Sequence, residues 1–471
     1  MREALAKLED WGFGGLAEFY FYTKGRDMRR AARGKRLGQG WLAALLAGAM
    51  LLLTAGLAQA AWVNGQAATV VLGQGDFTSN TPGVTQSGMF GPINACTDRE
   101  TGKVFVIDYV NHRVLRFSRS NAELNGANAE AVFGQSDFTG NTSGRSASKL
   151  NMPFGCAIAD SGDLWISDSV NGRVLLYRDA ANKPTVGAEA DLVLGQADFT
   201  SYSSSTDQST MTASVYGVAV SPDGTTLWAS SAGQNRVLRW DNPSQLSNGA
   251  PANGVLGQES FTTTNAIGSL APVADLPSPT ATSLGYPTGL ALDMDGNLFV
   301  SDQNYRRILR YDAAKSKANG AAANGVLGVT DFTTAGVGSC TSATFGLVYS
   351  LVIASDGRLY AAVYDQNRVL IFHSPAGKAN GASADYVLGQ SDFLSSAGAL
   401  TAAGLEGPMG LGFNAWSGRL YVGDFSNNRV LGYENPELQR NTVPALGVWG
   451  LAFFAGLLLV LGRAPWRTIR A

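Results

Sequence analysis

The chain has 471 residues, of which 45% are apolar and 15% charged, proportions that fit a folded protein and not a disordered or fibrous one. Its 57 glycines against 16 prolines suit many tight turns between short strands and argue against long helices. The net charge of −2 conceals a division: residues 61 to 442 carry 23 basic and 32 acidic side chains, and a body near −9 lacks the cationic footprint that a nucleic-acid partner demands.

From the N-terminus, RRAARGKR at 29 to 36 precedes the apolar run WLAALLAGAMLLLTAGLA, which ends in Ala58-Gln59-Ala60. Small side chains at Ala58 and Ala60 match an A-x-A cleavage pattern, so residues 1–60 read as an N-terminal extension with a secretory signal cut after Ala60. An uncleaved anchor is the alternative. Residues 1 to 27 make a long prelude, and Met28 stands where a conventional signal would begin, so Met28 is the expected start.

Next comes a motif that returns: VLGQGDF at 71, VFGQSDF at 132, VLGQADF at 193, VLGQESF at 255, VLGVTDF at 326 and VLGQSDF at 387. Between copies lies a second motif, from VFVIDYVNHRVLRF in the first unit to LYVGDFSNNRVLGY in the last. Ahead of each second motif runs another short apolar stretch, such as TGLALDMDGN at 288 to 297. All alternate apolar and polar residues and are rich in β-formers, as half-buried strands are. Each unit therefore supplies about four strands, and such units stack radially into a propeller. The expected fold is all-β: a six-bladed β-propeller over residues 61–440, with VLGQ as each blade's outer strand. Residues 69 to 74 precede any complete unit, and no seventh copy follows residue 433, so the leading segment is expected to pair with the last blade and close the ring.

The second motif, Asp-x-x-Asn-x-Arg-Val, resembles the NHL repeat. Asp108, Asn111 and Arg113, then Asp168, Asn171 and Arg173, then Asp424, Asn427 and Arg429 match fully. Tyr305 replaces the Asn between Asp302 and Arg307, Ser231 and Gln234 precede Arg236, and Val363 and Gln366 precede Arg368. The resemblance implies the propeller fold and says little about activity, because such propellers serve as binding scaffolds and, less often, as enzymes. Recurrence in nearly every blade makes the Asp/Arg pairs fold devices, the carboxylate satisfying an arginine beside the turn between the middle strands. The Asp after each VLGQ reads as the head of an Asx-type turn, with a row of calcium sites as the rival reading.

No catalytic site emerges. His112 and His373 are the only histidines, too few for a three-histidine zinc centre, and both fall near the outer half of a blade. The inner strands offer too few acids to single out oxygen ligands for a divalent metal, and no G-x-S-x-G, H-E-x-x-H or P-loop pattern appears. No cofactor is expected. Cys96, Cys156 and Cys340, odd in number and widely spaced, read as small buried apolar residues and not as a disulfide framework. Ligand contacts are expected on the long, Ser/Thr/Gly-rich loops that lead into the inner strands, such as residues 201 to 216 and 262 to 286.

The chain closes with VPALGVWGLAFFAGLLLVLG at 443 to 462, long enough to cross a bilayer and followed by Arg463, Arg467 and Arg470. Its opening resembles bacterial C-terminal sorting signals that begin Ile-Pro-Thr-Leu-x-x-Trp-Gly, matching at Pro444, Leu446, Trp449 and Gly450 and departing at Ala445, Gly447 and Val448. The resemblance implies export to a Gram-negative envelope, with residues 441–471 as a transmembrane or sorting segment. The leading expectation is thus an exported binding module for a protein or glycan ligand of the envelope; a lactonase-like hydrolase or lyase with a metal at the channel is the alternative.

Overall fold

The computed structural model of the protein describes residues 61–264 and 276–437. The signal with Ala58 and Ala60, the middle of the longest lead-in loop, and the terminal segment with Pro444, Leu446, Trp449 and Gly450 lie outside the described residues. Among the described residues no helix is long and apolar enough to cross a membrane.

Six four-stranded antiparallel sheets form six blades, an arrangement consistent with an NHL-type propeller. In blade 1 the strands run Pro92–Thr97, Val104–Asp108, Arg113–Phe117 and Ala131–Phe133, from inner to outer. The other inner strands are Pro153–Ile158, Val215–Val220, Pro287–Leu292, Val348–Ile353 and Pro408–Asn414. The VLG segments are the outer strands, as expected. Val70–Leu72 pairs antiparallel with Arg429–Glu434, Val71 opposite Leu431, and supplies the fourth strand of blade 6.

The middle strands differ from half-buried strands in one respect: every residue of Val104–Asp108 is buried. Each blade is covered on both faces by its neighbours, so alternation sorts side chains between two cores instead of between core and water. Phe105 and Ile107 join Leu164, Ile166 and Tyr177 of blade 2, whereas Val104 and Val106 join Val70, Leu72 and Tyr421 of blade 6. Six such clusters occupy the six blade interfaces.

The VLG glycine has one cause in every copy. Gly73, Gly134, Gly195, Gly257, Gly328 and Gly389 all hold φ between 84° and 92°, where the chain leaves the outer strand for the lead-in loop. The following Gln clamps that exit: the Gln135 amide donates to the carbonyls of His112 and Thr142, both at 3.0 Å, tying the preceding blade's turn to the next loop.

A further repeated element escaped the sequence reading. An Asn-Gly pair, its Asn about six residues before the outer strand, covers the outer edge of the preceding blade. Asn125 Oδ1 accepts the Val71 N–H at 3.0 Å and Gly126 N–H donates to the Val71 carbonyl at 3.0 Å. Asn248, Asn319 and Asn380 treat Val193, Val255 and Val326 alike. Asn64 and Gly65 do the same for Val387, and Trp62 beside them is buried against Tyr360. In blade 1 the Thr185 carbonyl takes the Val132 N–H instead.

Candidate functional site

The repeated polar residues come together at the turns between middle strands. Asp108 accepts from Arg113 Nε at 2.7 Å, from Asn111 Nδ2 at 2.9 Å and from the Phe90 N–H at 2.8 Å. Asp168 and Asp424 repeat all three contacts, with Arg173, Asn171 and the Asn151 N–H, and with Arg429, Asn427 and the Glu406 N–H. Asp302 keeps Arg307 at 2.7 Å and the Gly285 N–H at 2.6 Å, while Tyr305 turns its hydroxyl to the Pro277 carbonyl. These ion pairs are wholly buried. Burial pushes the four carboxyls up, Asp424 to about 6, against the pull of the adjacent guanidinium.

Each arginine does more than neutralise. Arg113 Nη2 donates to the carbonyls of Thr85 and Gly88, and Nη1 to that of Phe138, so one fork pins the lead-in loop of its own blade and the turn after its outer strand. Arg429 reaches back to Phe77 and closes the circuit. Arg236 and Arg368 lack the carboxylate: each leans on the amide oxygen of Gln234 or Gln366, and each leaves a buried Nε without a partner. Burial lowers both guanidinium pKa values, Arg236 to about 10.

After the outer strands, Asp76, Asp137, Asp198, Asp331 and Asp392 each accept, through Oδ1, the backbone N–H two residues on, the geometry of an Asx turn. His112 accepts the Met152 N–H through Nδ1 at 3.0 Å, whereas His373 packs on Tyr386 in blade 5. Among the described residues no group of three His, Cys, Asp or Glu side chains is placed to hold a metal ion.

The cysteines correct the sequence reading. Cys96 and Cys156 form a disulfide across 60 residues, with their Cα atoms 6.1 Å apart, and only Cys340 is free. The physical reason is the repeat itself: a separation close to one 61-residue unit places both on adjacent inner strands. That spacing was a legible signal.

Along the axis the inner strands approach too closely for side chains at one level. A Cβ on Gly155, Gly217 or Gly410 would lie 2.2 to 2.4 Å from the neighbouring strand's backbone. Asn94 fills the middle, donating to the Phe154 carbonyl at 2.9 Å and accepting from the Leu411 N–H at 3.0 Å and Ser350 Oγ at 2.9 Å. It thereby ties blades 1, 2, 5 and 6 and plugs the channel. Below the plug lies a cavity of about 240 Å³ whose mixed polar and apolar walls include Cys96 and Cys156, with Arg99, Asp160 and Asp293 also lining it.

Above the plug, on the loop face, aromatic rings form a floor. Phe154 lies 4.4 Å from Tyr216, 6.0 Å from Tyr109 and, across the axis, 6.2 Å from Tyr349, measured between ring centroids. Tyr364 packs on Tyr349, Phe425 on Tyr109, and Tyr286 on Tyr216. These rings come from the second residue of three inner strands (Phe154, Tyr216, Tyr349), from the residue after the motif aspartate position in three blades (Tyr109, Tyr364 behind Val363, Phe425), and from the end of one lead-in loop (Tyr286). Tyr216 and Tyr286 share a hydroxyl contact at 3.2 Å that continues to Ser214 at 3.1 Å. Burial raises the pKa of Tyr109, Tyr216 and Tyr349, so their hydroxyls stay protonated donors. Residues at the equivalent floor positions include Ile93, Thr288, Met409, Ser169, Ala232 and Gln303, none of them ionisable. Sequence reasoning missed this floor because no copy repeats it.

No protein-family model matches the chain, and no curated protein matches it in sequence.

Proposed function

We propose that the protein is an exported, envelope-associated binding module whose ligand rests on the tyrosine floor at the centre of the loop face. The observation that carries this reading is the floor's composition: half-buried aromatic rings and hydroxyls in mutual contact, with the exposed Asp365 carboxylate at the edge beside Tyr364. An acid/base catalyst needs titratable groups held near the reacting atoms; a binding platform needs rigid amphipathic contact area, which tyrosine supplies at low entropic cost. The arginine forks below make the surrounding lead-in loops part of a rigid scaffold.

Export is supported by two independent features. The sequence carries the A-x-A pattern at Ala58 and Ala60 behind an apolar run, and the Cys96–Cys156 disulfide is a bond that persists in oxidising compartments and is rare in reducing ones. Residues 1–60 are then the extension and signal, 61–440 the propeller and 441–471 a membrane or sorting segment that holds the chain before processing. The test is retention on envelopes. Full-length protein is expressed in a Gram-negative host, its mature N-terminus sequenced, and its co-sedimentation with outer-membrane vesicles compared with that of Tyr109→Ala and Tyr349→Ala. A start at Ala61 and loss of retention in both variants are expected. Retention indifferent to both substitutions would move the binding site elsewhere.

A further inference from the structure

The loop face is aromatic at its centre and acidic at one edge. Five positions in each blade supply or adjoin the floor: the last two residues of the lead-in loop, the second residue of the inner strand, and the first two residues after the second strand. Across the six blades these positions hold two charged side chains, Asp365 and Glu406, and both are carboxylates. Both also stand beside one ring. Asp365 follows Tyr364 in the chain, and Gly407 packs so closely on Tyr364 that a Cβ there would lie 2.9 Å from Tyr364 Cε2, so Glu406, the residue before it, belongs to the backbone that flanks that ring. Tyr364 lies 5.3 Å from Tyr349 between centroids, and the Asp365 charge acts on the Tyr349 hydroxyl. Asp365 Oδ1 is fixed by the Leu347 N–H at 2.7 Å. Both acids are exposed, and among the described residues neither Asp365 Oδ2 nor the Glu406 carboxylate has a hydrogen bond or ion pair. The basic residues at the far end of such turns are engaged elsewhere: Arg306 against Gly338 of the blade 5 lead-in loop, His112 with the Met152 N–H.

Unpaired negative charge next to aromatic rings selects a cation, and the acidic body, near −9, draws cations towards it. The kind of cation follows from what the rings do not offer. Calcium takes about six to eight oxygen ligands, and among the described residues no group of three His, Cys, Asp or Glu side chains converges. An ammonium rich in N–H groups needs matching acceptors, whereas ring faces supply none and the Tyr216, Tyr286 and Ser214 hydroxyls are already joined to one another. An N-alkylated ammonium has few or no N–H groups to satisfy and is attracted by ring faces directly. The rings bracket one sector for it: Tyr349 and Tyr364 stand in blade 5 and Tyr109 in blade 1. Blade 6 between them contributes Phe425 and the pliable Met409 to the same cluster.

We propose that the floor binds an N-alkylated ammonium cation over Tyr109, Tyr349 and Tyr364, with Asp365 and Glu406 as its countercharges. This rests on the binding-module reading above and names its ligand class. The full chain is titrated calorimetrically with tetramethylammonium and choline, and with 3,3-dimethyl-1-butanol, which has the shape of choline without the charge. Saturable binding of the cations is expected, with the neutral alcohol weaker by about tenfold or more and the cation affinity falling as salt rises. Tyr349→Ala should weaken choline by a similar factor. Asp365→Asn with Glu406→Gln should do so at an unchanged melting temperature, because the replacement amide oxygen still accepts the Leu347 N–H. Vesicles identify the source of the cation: sedimentation with phosphatidylcholine but not phosphatidylglycerol assigns a lipid headgroup, and binding of free choline without vesicle binding assigns a soluble cation. Equal affinity for choline and the neutral alcohol, no binding of either cation, or choline binding untouched by the double variant overturns the assignment. If envelope retention still depends on Tyr109 and Tyr349 in those cases, the binding-module reading survives; if retention is also indifferent to them, both fall.

Discussion

At the scale of single residues, six copies of one motif act as an internal mutant series. Four blades give the arginine a carboxylate, and two do not, so the structure displays what the carboxylate supplies. In blade 3 the place of Asp108 is taken by Ser231; Arg236 Nε has no partner, and the lead-in N–H that an aspartate would accept, that of Ala213, reaches only the Tyr202 hydroxyl at 3.4 Å. The guanidinium is already buried, so its desolvation is already incurred and a restored carboxylate adds charge-assisted hydrogen bonds to both donors. The Ser231→Asp, Gln234→Asn double variant is therefore expected to be more stable by about 1–3 kcal/mol, read as a higher denaturation midpoint. The reverse change, Asp168→Ser alone, should cost about 3–5 kcal/mol by stranding buried Arg173. A lower midpoint for the blade 3 variant would mean that Gln234 already satisfies the arginine better than a carboxylate can. The motif residues themselves were legible because repetition exposes them. The three carbonyls that each arginine also holds were not, since backbone acceptors leave no trace in side-chain identity.

At the scale of elements, what the sequence disclosed and what it hid divide along the same line. Strands, their number and their order inside a blade follow from alternation and copy number. The Asn-Gly clamp was equally repetitive, at Asn64, Asn125, Asn248, Asn319 and Asn380, but an Asn-Gly pair reads first as a turn, and its second duty on the neighbouring blade's edge appears only when blades are side by side. The disulfide was hidden by a different habit: three scattered cysteines look unpaired until the distance between two of them is compared with the repeat length. It joins two inner strands and so constrains blades 1 and 2 in the unfolded chain. With 60 residues between its ends, a chain-entropy estimate puts its contribution at about 4 kcal/mol. Replacing both partners, Cys96→Ser with Cys156→Ser, should lower the denaturation midpoint accordingly, and wild type in strong reductant should coincide with the variant. A thiol titration of denatured, unreduced wild type should find Cys340 alone; three reactive thiols would refute the pairing.

At the scale of the whole molecule, stability and function both depend on the ring being closed. Every blade is buried on two faces, so loss of the leading strand uncovers two cores at once, those built on Val71, Leu388 and Leu431 and on Leu72, Val106 and Val430. The residues that prevent this precede the first complete blade: Trp62 against Tyr360, Asn64 on Val387, Val70–Leu72 on the last blade's third strand, and the Phe77 carbonyl under Arg429. Closure was readable from the offset between copies of the two motifs, whereas the plug at Asn94 was not, because five other copies carry Gly or Ser at its position. The segment is short, continuous and bound along its whole length, which makes closure separable from the rest of the chain. A variant beginning at residue 79 should fold its first five blades and present the last blade with an open edge, and it should self-associate through that edge. A synthetic peptide of residues 61 to 78, added in trans, should occupy the edge as an added strand, suppress self-association and raise the melting temperature in a saturable manner. A peptide carrying Leu72→Pro should fail: Val71 turns its N–H outward to Asn125, so the neighbouring Leu72 N–H faces Val430 of the last blade, and proline there removes a ladder donor. If the truncated variant is monomeric and indifferent to the peptide, the ring does not depend on its leading strand, and the continuity of six interfaces would have to be held by the arginine circuit and the axial asparagine instead.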